Sequence, residues 1–298
     1  MRWYFAIDEQ GAAGQTGEDA KLAVHTALNI GGLEPHLLYY GAPSDFTAWM
    51  QKRGVEIINT APSFLDSMNA AQAAGTFKAY SIGHWLRIAI PQVESAAEFV
   101  LYTDCDMIFL HPVNWPAIRP KIFAAAPEFK RDNWNYFNSG SMVINVPAMR
   151  ASYHDFESLI RRRIAAPTPH SYDDQIALNE AYRGHWDHLD PRLNWKPYWG
   201  YERRAALLHF HGPKLGVLEA IAAGRWHDDN PTAIQWRKMV EAHLEGYIAW
   251  MGVLGDRLQN YDMELALRLH AVASALTRHR NTLPPTPMDT SFMDFCMF

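Results

Sequence analysis

The chain has 298 residues, 48% apolar and 20% charged, which is enough apolar material for a sizeable core and argues against global disorder. Its 27 Lys and Arg against 32 Asp and Glu give a net charge of −5, so no overall polyanion-binding field arises and nucleic acid is not expected as a partner. Two cysteines, Cys105 and Cys296, make no disulfide framework and fit a reducing compartment. Asp8 and Glu9 interrupt the N-terminus before a long apolar run develops, so neither a signal peptide nor an anchor is read there. A cytoplasmic protein is expected, with contact at the inner face of a membrane left open.

Trp3 to Ile7 is an apolar run ending at Asp8 and reads as a buried strand. A glycine-rich turn from Gly11 to Gly17 leads to a helix over Glu18 to Asn29, stopped by Gly31 and Gly32. His36 to Tyr40 is a second strand, Phe46 to Arg53 a helix and Val55 to Ile58 a third strand. Tyr80 to Ile90 is helical and halted by Pro91, and Phe99 to Tyr102 is a strand running into Asp104. Strands follow over Ile122 to Ala126 and Ser141 to Val146, and Pro147 opens a helix reaching Ile164. Ser171 is the expected N-cap of a helix over Asp173 to Tyr182, with Asp174 at the capping-box position. From Leu215 onwards the pattern is mostly helical, and the last residues, from Leu283, read as a flexible tail. The alternation of strands and helices with short loops predicts an α/β fold with a parallel sheet. The expected division is a core over residues 1–217 and a helical extension over 218–298. Ligands of open α/β sheets bind beyond the carboxyl ends of the strands, where Asp8 and Asp104 both fall.

The segment FVLYTDCDMIFLHP places Asp104 and Asp106 two residues apart. In an extended chain they point to one side while Cys105 points to the other. Carboxylates converging at a strand end repel each other unless a cation lies between them, and oxygen ligands of this kind suit Mg²⁺ or Mn²⁺. The plainer reading is a strand cap at Asp104 and a turn at Asp106, but the apolar flanks keep the pair off a freely solvated face. Downstream, ALLHFHGPKLG delivers His209 and His211 from a short strand, then Gly212 and Lys214. A neutral imidazole favours Mn²⁺ over Mg²⁺, Gly212 permits close approach of backbone to a ligand, and Lys214 is a point charge for a diphosphate. The two histidines share strand parity, so either can be the ligand.

These segments, in order from about Trp3 to Lys214, resemble glycosyltransferase family 8, the retaining GT-A enzymes that include glycogenin and bacterial lipopolysaccharide galactosyl- and glucosyltransferases. The resemblance implies a Rossmann-like, mostly parallel central sheet flanked by helices, with a UDP-sugar donor and a Mn²⁺ or Mg²⁺ ion. FAID is similar to the first strand of the family, which implies that Ala6 and Asp8 hold the nucleoside. HWLRIAIP supplies Arg87 as the donor-site arginine, and LYTDCD resembles the family's Asp-X-Asp, giving Asp104 and Asp106 as metal ligands and Asp104 also as a donor contact. YFNSGSMVINV supplies Asn138 as a sugar contact, YDDQIALN supplies Asp174 and Gln175 as the catalytic pair, and HFHGPK supplies His209 to the metal with Gly212 and Lys214 at the diphosphate. Three departures stand out: Lys214 follows Gly212 by two residues instead of three, Leu215-Gly216 replaces Pro-Trp, and Ile176 follows Gln175. The resemblance does not extend over residues 218–298. It implies transfer of a hexose to a glycan or glycolipid, in cell-surface polysaccharide or lipopolysaccharide synthesis.

Other readings stand beside these. Asp174 and Gln175 could simply cap a helix, and Asn138 and Gly140 could form a loop before a strand. The aromatic run Trp195, Tyr198, Trp199 and Tyr201, with Trp134 and Tyr136, suits either a sugar acceptor or a core plug. Arg161, Arg162 and Arg163 read as a solvated helix end, with a membrane surface as the lesser reading. The helical extension could cover the acceptor side or form a homodimer contact. The competing activities are a nucleotide-sugar hydrolase, a nucleotidyltransferase, and a UDP-sugar-binding protein without catalysis.

Overall fold

The computed structural model of the chain describes residues 1–77, 82–166, 172–284 and 289–294. The first half lays down β1 (Arg2–Asp8), α1 (Glu9–Ala12), α2 (Gln15–Ile30), β2 (Glu34–Tyr40), α3 (Asp45–Lys52), β3 (Glu56–Asn59), α4 (Leu65–Ala73), α5 (Ile82–Trp85), α6 (Ile90–Val93), β4 (Phe99–Thr103) and β5 (Met107–Phe109). Then follow β6 (Phe123–Pro127), β7 (Phe137–Asn145), α7 (Val146–Ala165), α8 (Asp174–Ala181), β8 (Asp187–His188), β9 (Leu207–His209), α9 (Leu215–Ala222), α10 (Pro231–Ala242), α11 (Leu244–Leu258) and α12 (Met263–Arg280).

Seven strands form one sheet in the order β3-β2-β1-β4-β7-β6-β8. All neighbours are parallel except β7, which runs antiparallel to both β4 and β6. The mostly parallel sheet expected from the sequence is therefore present. Alternation along β1 explains why it lies in the middle. Trp3, Phe5 and Ile7 enter one core with α2 and α3, while Tyr4 and Ala6 enter the other with α7 and α8. A strand buried on both faces must be apolar almost throughout.

The short strands β5 and β9 pair antiparallel as a separate ribbon, with Met107 opposite His209. Its residues alternate between cores too. Met107, Phe109 and Leu207 belong to the core on one face of the sheet, whereas Ile108 and Leu208 join a third core built with α9 to α12.

Several local expectations need correction. The glycine-rich turn is shorter than expected, since α1 covers Gly11, Ala13 and Gly14 make the turn, and α2 begins at Gln15. Pro91 does not halt a helix, because it occupies the first turn of α6, where its missing N–H costs nothing. The preceding Leu86–Ala89 is a 3₁₀ turn, and Tyr80 lies outside the described residues. β7 starts at Phe137, so Asn138 and Gly140 stand in a strand and not in a loop. The cap of α8 is Asp173, whose side chain accepts from the Ile176 N–H; Ser171 lies outside the described residues. Residues 289–294 of the C-terminal segment are packed, with Met293 buried and Phe292 against Phe129; Cys296 lies outside the described residues. The arginine run is a solvated helix end as expected, with Arg162 and Arg163 exposed in the last turn of α7, and two of its members are also paired. Arg161 pairs with Glu157 and donates to Ser67 Oγ and to the Ser63 carbonyl, and Arg163 pairs with Glu180, tying α7 to its neighbours. Among the described residues no helix is long and apolar enough to cross a membrane.

Candidate active site

The parallel strands point their carboxyl ends at one rim, and the polar residues gather there. β4 ends at Thr103 and hands Asp104 and Asp106 to the opening of β5, while β9 brings His209 alongside through its pairing with Met107. One ligand atom from each of Asp104, Asp106 and His209 lies within 4.8 Å of the others. His209 Nε2 is 3.3 Å from Asp106 Oδ1 and 3.9 Å from Asp104 Oδ2.

The imidazole is oriented from behind. Its Nδ1 lies 2.9 Å from Asn194 Oδ1, and the Asn194 amide donates to Asn138 Oδ1 at 2.9 Å. Because an amide oxygen only accepts, Nδ1 carries the proton and the Nε2 lone pair faces the carboxylates. Burial lowers the His209 pKa despite Asp106, which keeps the ring neutral and available as a ligand. Asp106 is held ionised, its pKa well below the ordinary range; burial opposes this, but the Lys214 ammonium prevails, with His209 alongside. The Lys214 ammonium rests against Asp106 Oδ2, so a cation already faces this carboxylate. Gly140 makes room for the set: a Cβ there would lie 2.4 Å from His209 Cε1 and 2.9 Å from Asp104 Oδ2. Two carboxylates, a neutral nitrogen and a hollow kept clear by a glycine fit a divalent metal ion.

Arg87 is the second focus. It is 6% exposed and engages Asp104 through Nη2 and Asp174 through Nε, both at 2.8 Å. Its Nη1 donates to the Ser139 carbonyl and hydroxyl at 2.8 and 2.9 Å. Burial alone would favour loss of the proton, but the two carboxylates raise the Arg87 pKa further. Burial pushes Asp174 up to about 6, against the pull of Arg87. Gln175 Oε1 accepts from Asn138 Nδ2, the Ser139 N–H and the Ser139 hydroxyl at 3.1, 2.9 and 3.2 Å. Asp104, Asn138, Asp174, Gln175, Arg87, Lys214 and the ligand triad are thus joined in one network.

The remaining expected residues lie close to this network in the fold. Ala6 is buried in β1, its carbonyl accepting from the Cys105 thiol at 3.3 Å. Asp8 ends β1, and its oxygens accept from the Gly11 and Gly83 N–H groups at 2.8 and 3.0 Å. Gly212 has φ +80°, a conformation that favours glycine. His211 is not in the triad. Its Nε2 is 3.0 Å from Glu128 Oε1 and its Nδ1 is 2.9 Å from the Tyr198 hydroxyl. Trp195 and Tyr198 are buried, so the aromatic run is largely core, with Tyr201 exposed.

Sequence reasoning overlooked Asn194, which is fully buried, and Tyr102, whose hydroxyl donates to Asp104 Oδ1 at 2.9 Å. It also missed Asp19, which burial pushes up to about 6 and which feels both Asp106 and Lys214. An amide inside an aromatic run was the one available signal for Asn194, because a buried amide needs partners.

No protein-family model matches the chain, and no curated protein matches it. Solved structures do. The galactosyltransferase LgtC, in complex with donor and acceptor sugar analogues, is 17% identical over 82% of this chain and 96% of its own, with a TM-score of 0.53. The glycosyltransferase GlyE of Streptococcus pneumoniae is 16% identical over 80% of this chain and 59% of its own, with a TM-score of 0.54. The bifunctional glycosyltransferase WbbM is 12% identical over 80% of this chain and 51% of its own, with a TM-score of 0.51. At such identities the likeness shows the fold, and the GT-A architecture that the sequence led us to expect is the architecture found.

Proposed function

We propose that the protein is a metal-dependent, retaining glycosyltransferase that moves a hexose from a UDP-sugar to a hydroxyl of a glycan or glycolipid. One observation carries this reading: Asp104, Asp106 and His209 converge within 4.8 Å, with Asn194 Oδ1 2.9 Å from His209 Nδ1 on the far side of the ring. Solved structures of the same fold include LgtC, a galactosyltransferase with donor and acceptor sugar analogues bound. The resemblance noted above points to cell-surface polysaccharide or lipopolysaccharide synthesis as the setting.

Asp104, Asp106 and His209 would hold Mn²⁺ or Mg²⁺, which when bound supplies charge neutralisation for the departing diphosphate. Lys214, now paired with Asp106, gains a second anionic partner when a diphosphate arrives. Asp8 and Ala6 stand at the end of β1 for the nucleoside. Arg87 bridges Asp104 and Asp174, which supports its reading as the donor-site arginine. In the reaction the acceptor oxygen bonds to the anomeric carbon, the bond from that carbon to the phosphate oxygen breaks, and the departing oxygen takes the acceptor's proton. Gln175 Oε1 already accepts three hydrogen bonds, which supports attack from the leaving-group face over a covalent intermediate on this side chain. A sugar–enzyme adduct trapped on any residue would overturn that step.

Calorimetric titration of UDP with and without Mn²⁺, on the wild type and on Asp104→Asn/Asp106→Asn, tests the reading. UDP is expected to bind only with the metal, and the variant to bind it at least about 100-fold more weakly. Binding of equal strength without metal would remove the claim.

A further inference from the structure

A cavity of about 450 Å³ lies beside the catalytic candidates, within the range of about 300–1,000 Å³ usual for small-molecule sites. Its lining comes from three parts of the chain. Glu128 and Phe129 follow β6, Asp173 and Gln175 open α8, and Gln235 of α10 and Phe292 come from the region that follows residue 217. Phe292 is fixed in place. Its ring stands at 79° to that of Phe129 with centroids 6.4 Å apart, the neighbouring Met293 is buried, and Asp294 pairs with Lys130. Asp289 reaches Lys238 on α10 at 3.5 Å.

Glu128 is 9% exposed, and its two oxygens differ. Oε1 meets His211 Nε2 at 3.0 Å, while Oε2 is buried and makes no hydrogen bond of good geometry among the described residues, although the Asn138 side chain helps to hold the carboxylate charged. A buried carboxylate oxygen without a well-aligned donor is costly, and a ligand hydroxyl would relieve it. Aromatic rings with polar groups around them suit a sugar, whose C–H face packs on the rings while its hydroxyls bond to the rim. Charge narrows the choice. Among the described residues Glu128 and Asp173 line the cavity and no cationic side chain does, so a sugar bearing a carboxylate is repelled.

We propose that this cavity is the acceptor subsite, that it takes a neutral pyranose, and that Phe292 and Gln235 determine which sugar enters. The assignment of the bound sugar as acceptor rests on the transferase reading above; the binding preference does not.

The test is saturation-transfer NMR on the full chain with Mg²⁺ and UDP. The probes are methyl glucoside and methyl galactoside against the matching methyl glucuronide and galacturonide. At least one neutral glycoside is expected to bind, and its uronide about tenfold more weakly or not at all. Phe292→Ala should weaken the neutral glycoside about tenfold, Gln235→Ala should change the order of preference, and Phe292→Tyr should retain binding. UDP affinity, measured by calorimetry on the same samples, should stay unchanged. Absence of neutral-glycoside binding to the wild type, uronides bound equally well, or binding indifferent to Phe292→Ala would each overturn the subsite. If UDP binds with metal while any of those results appears, the subsite falls and the transferase reading stands. If glycosides follow the expected pattern while UDP does not bind, the transferase reading falls and a neutral-sugar site remains.

Discussion

Gly140 shows how little space separates the ligand set from its surroundings. In Gly140→Ala the new methyl meets His209 and Asp104 at 2.4 and 2.9 Å, so the imidazole must turn away from the carboxylates. Mn²⁺ affinity, followed by electron paramagnetic resonance, should drop about 10- to 100-fold while the circular dichroism spectrum stays native. Asn194→Leu should do the same by another route, since it removes the acceptor that holds the Nδ1 proton of His209; unchanged metal affinity there would refute the tautomer argument. At this scale the sequence was informative about residue types and silent about neighbours. Asp104 and Asp106 were legible because apolar runs flank them on both sides. By residue pattern alone His209 and His211 could not be told apart, and only the family resemblance pointed to His209, since what separates them is Asn194 on one side and Glu128 with Tyr198 on the other.

Elements built from continuous apolar runs were legible, and those set by capping or by tertiary contact were not. β1, β2 and β4 follow from their burial on both faces. α4 went unread because only Met68 of its nine residues is buried, so it has little apolar periodicity. β7 was shortened because Asn138, Ser139 and Gly140 look like a turn, yet each is bound within the site, which outweighs their weak strand preference. Contact between elements is close where α11 meets the loop before β9. A Cβ on Gly246 would lie 2.1 Å from the Pro197 carbonyl oxygen and 2.9 Å from Gly200 Cα, both backbone atoms that cannot swing aside. Gly246→Ala should therefore destabilise the protein by about 1–3 kcal/mol in urea denaturation, despite alanine's better helix propensity. A gain in stability would show that α11 is free to shift.

Across the whole molecule, one buried carboxylate ties the first strand to the segment before β4. Glu94 is 0% exposed and accepts from Arg2 at 2.9 and 3.0 Å, from the Tyr4 hydroxyl at 2.7 Å, and from the Ala96 and Ala97 N–H groups at 2.6 and 2.9 Å. Burial works against its charge, but these donors hold its pKa at about 2, below the ordinary 4.5. A depressed carboxylate stabilises the fold above its unfolded pKa, and the benefit fades as pH falls from about 4.5 through about 2. Glu94→Gln should cost on the order of 3 kcal/mol at pH 7, with the gap to wild type narrowing steadily below pH ~4.5 in denaturant titrations. A gap independent of pH would show that shape rather than charge is at work. The broad architecture, a mostly parallel sheet followed by helices, was visible in the sequence; the path by which the helices join it was not, because the link is only three residues wide on each strand. The β5–β9 ribbon is a party wall: Met107 and Leu207 face the sheet's core, and Ile108 and Leu208 face the helices. An ion held by Asp106 and His209, as proposed above, would therefore be coupled to both cores. Loosening the helical room at a distance, as by Leu254→Ala, should weaken Mn²⁺ binding, and Mn²⁺ should slow amide exchange in α11 in equal measure, since such coupling runs in both directions.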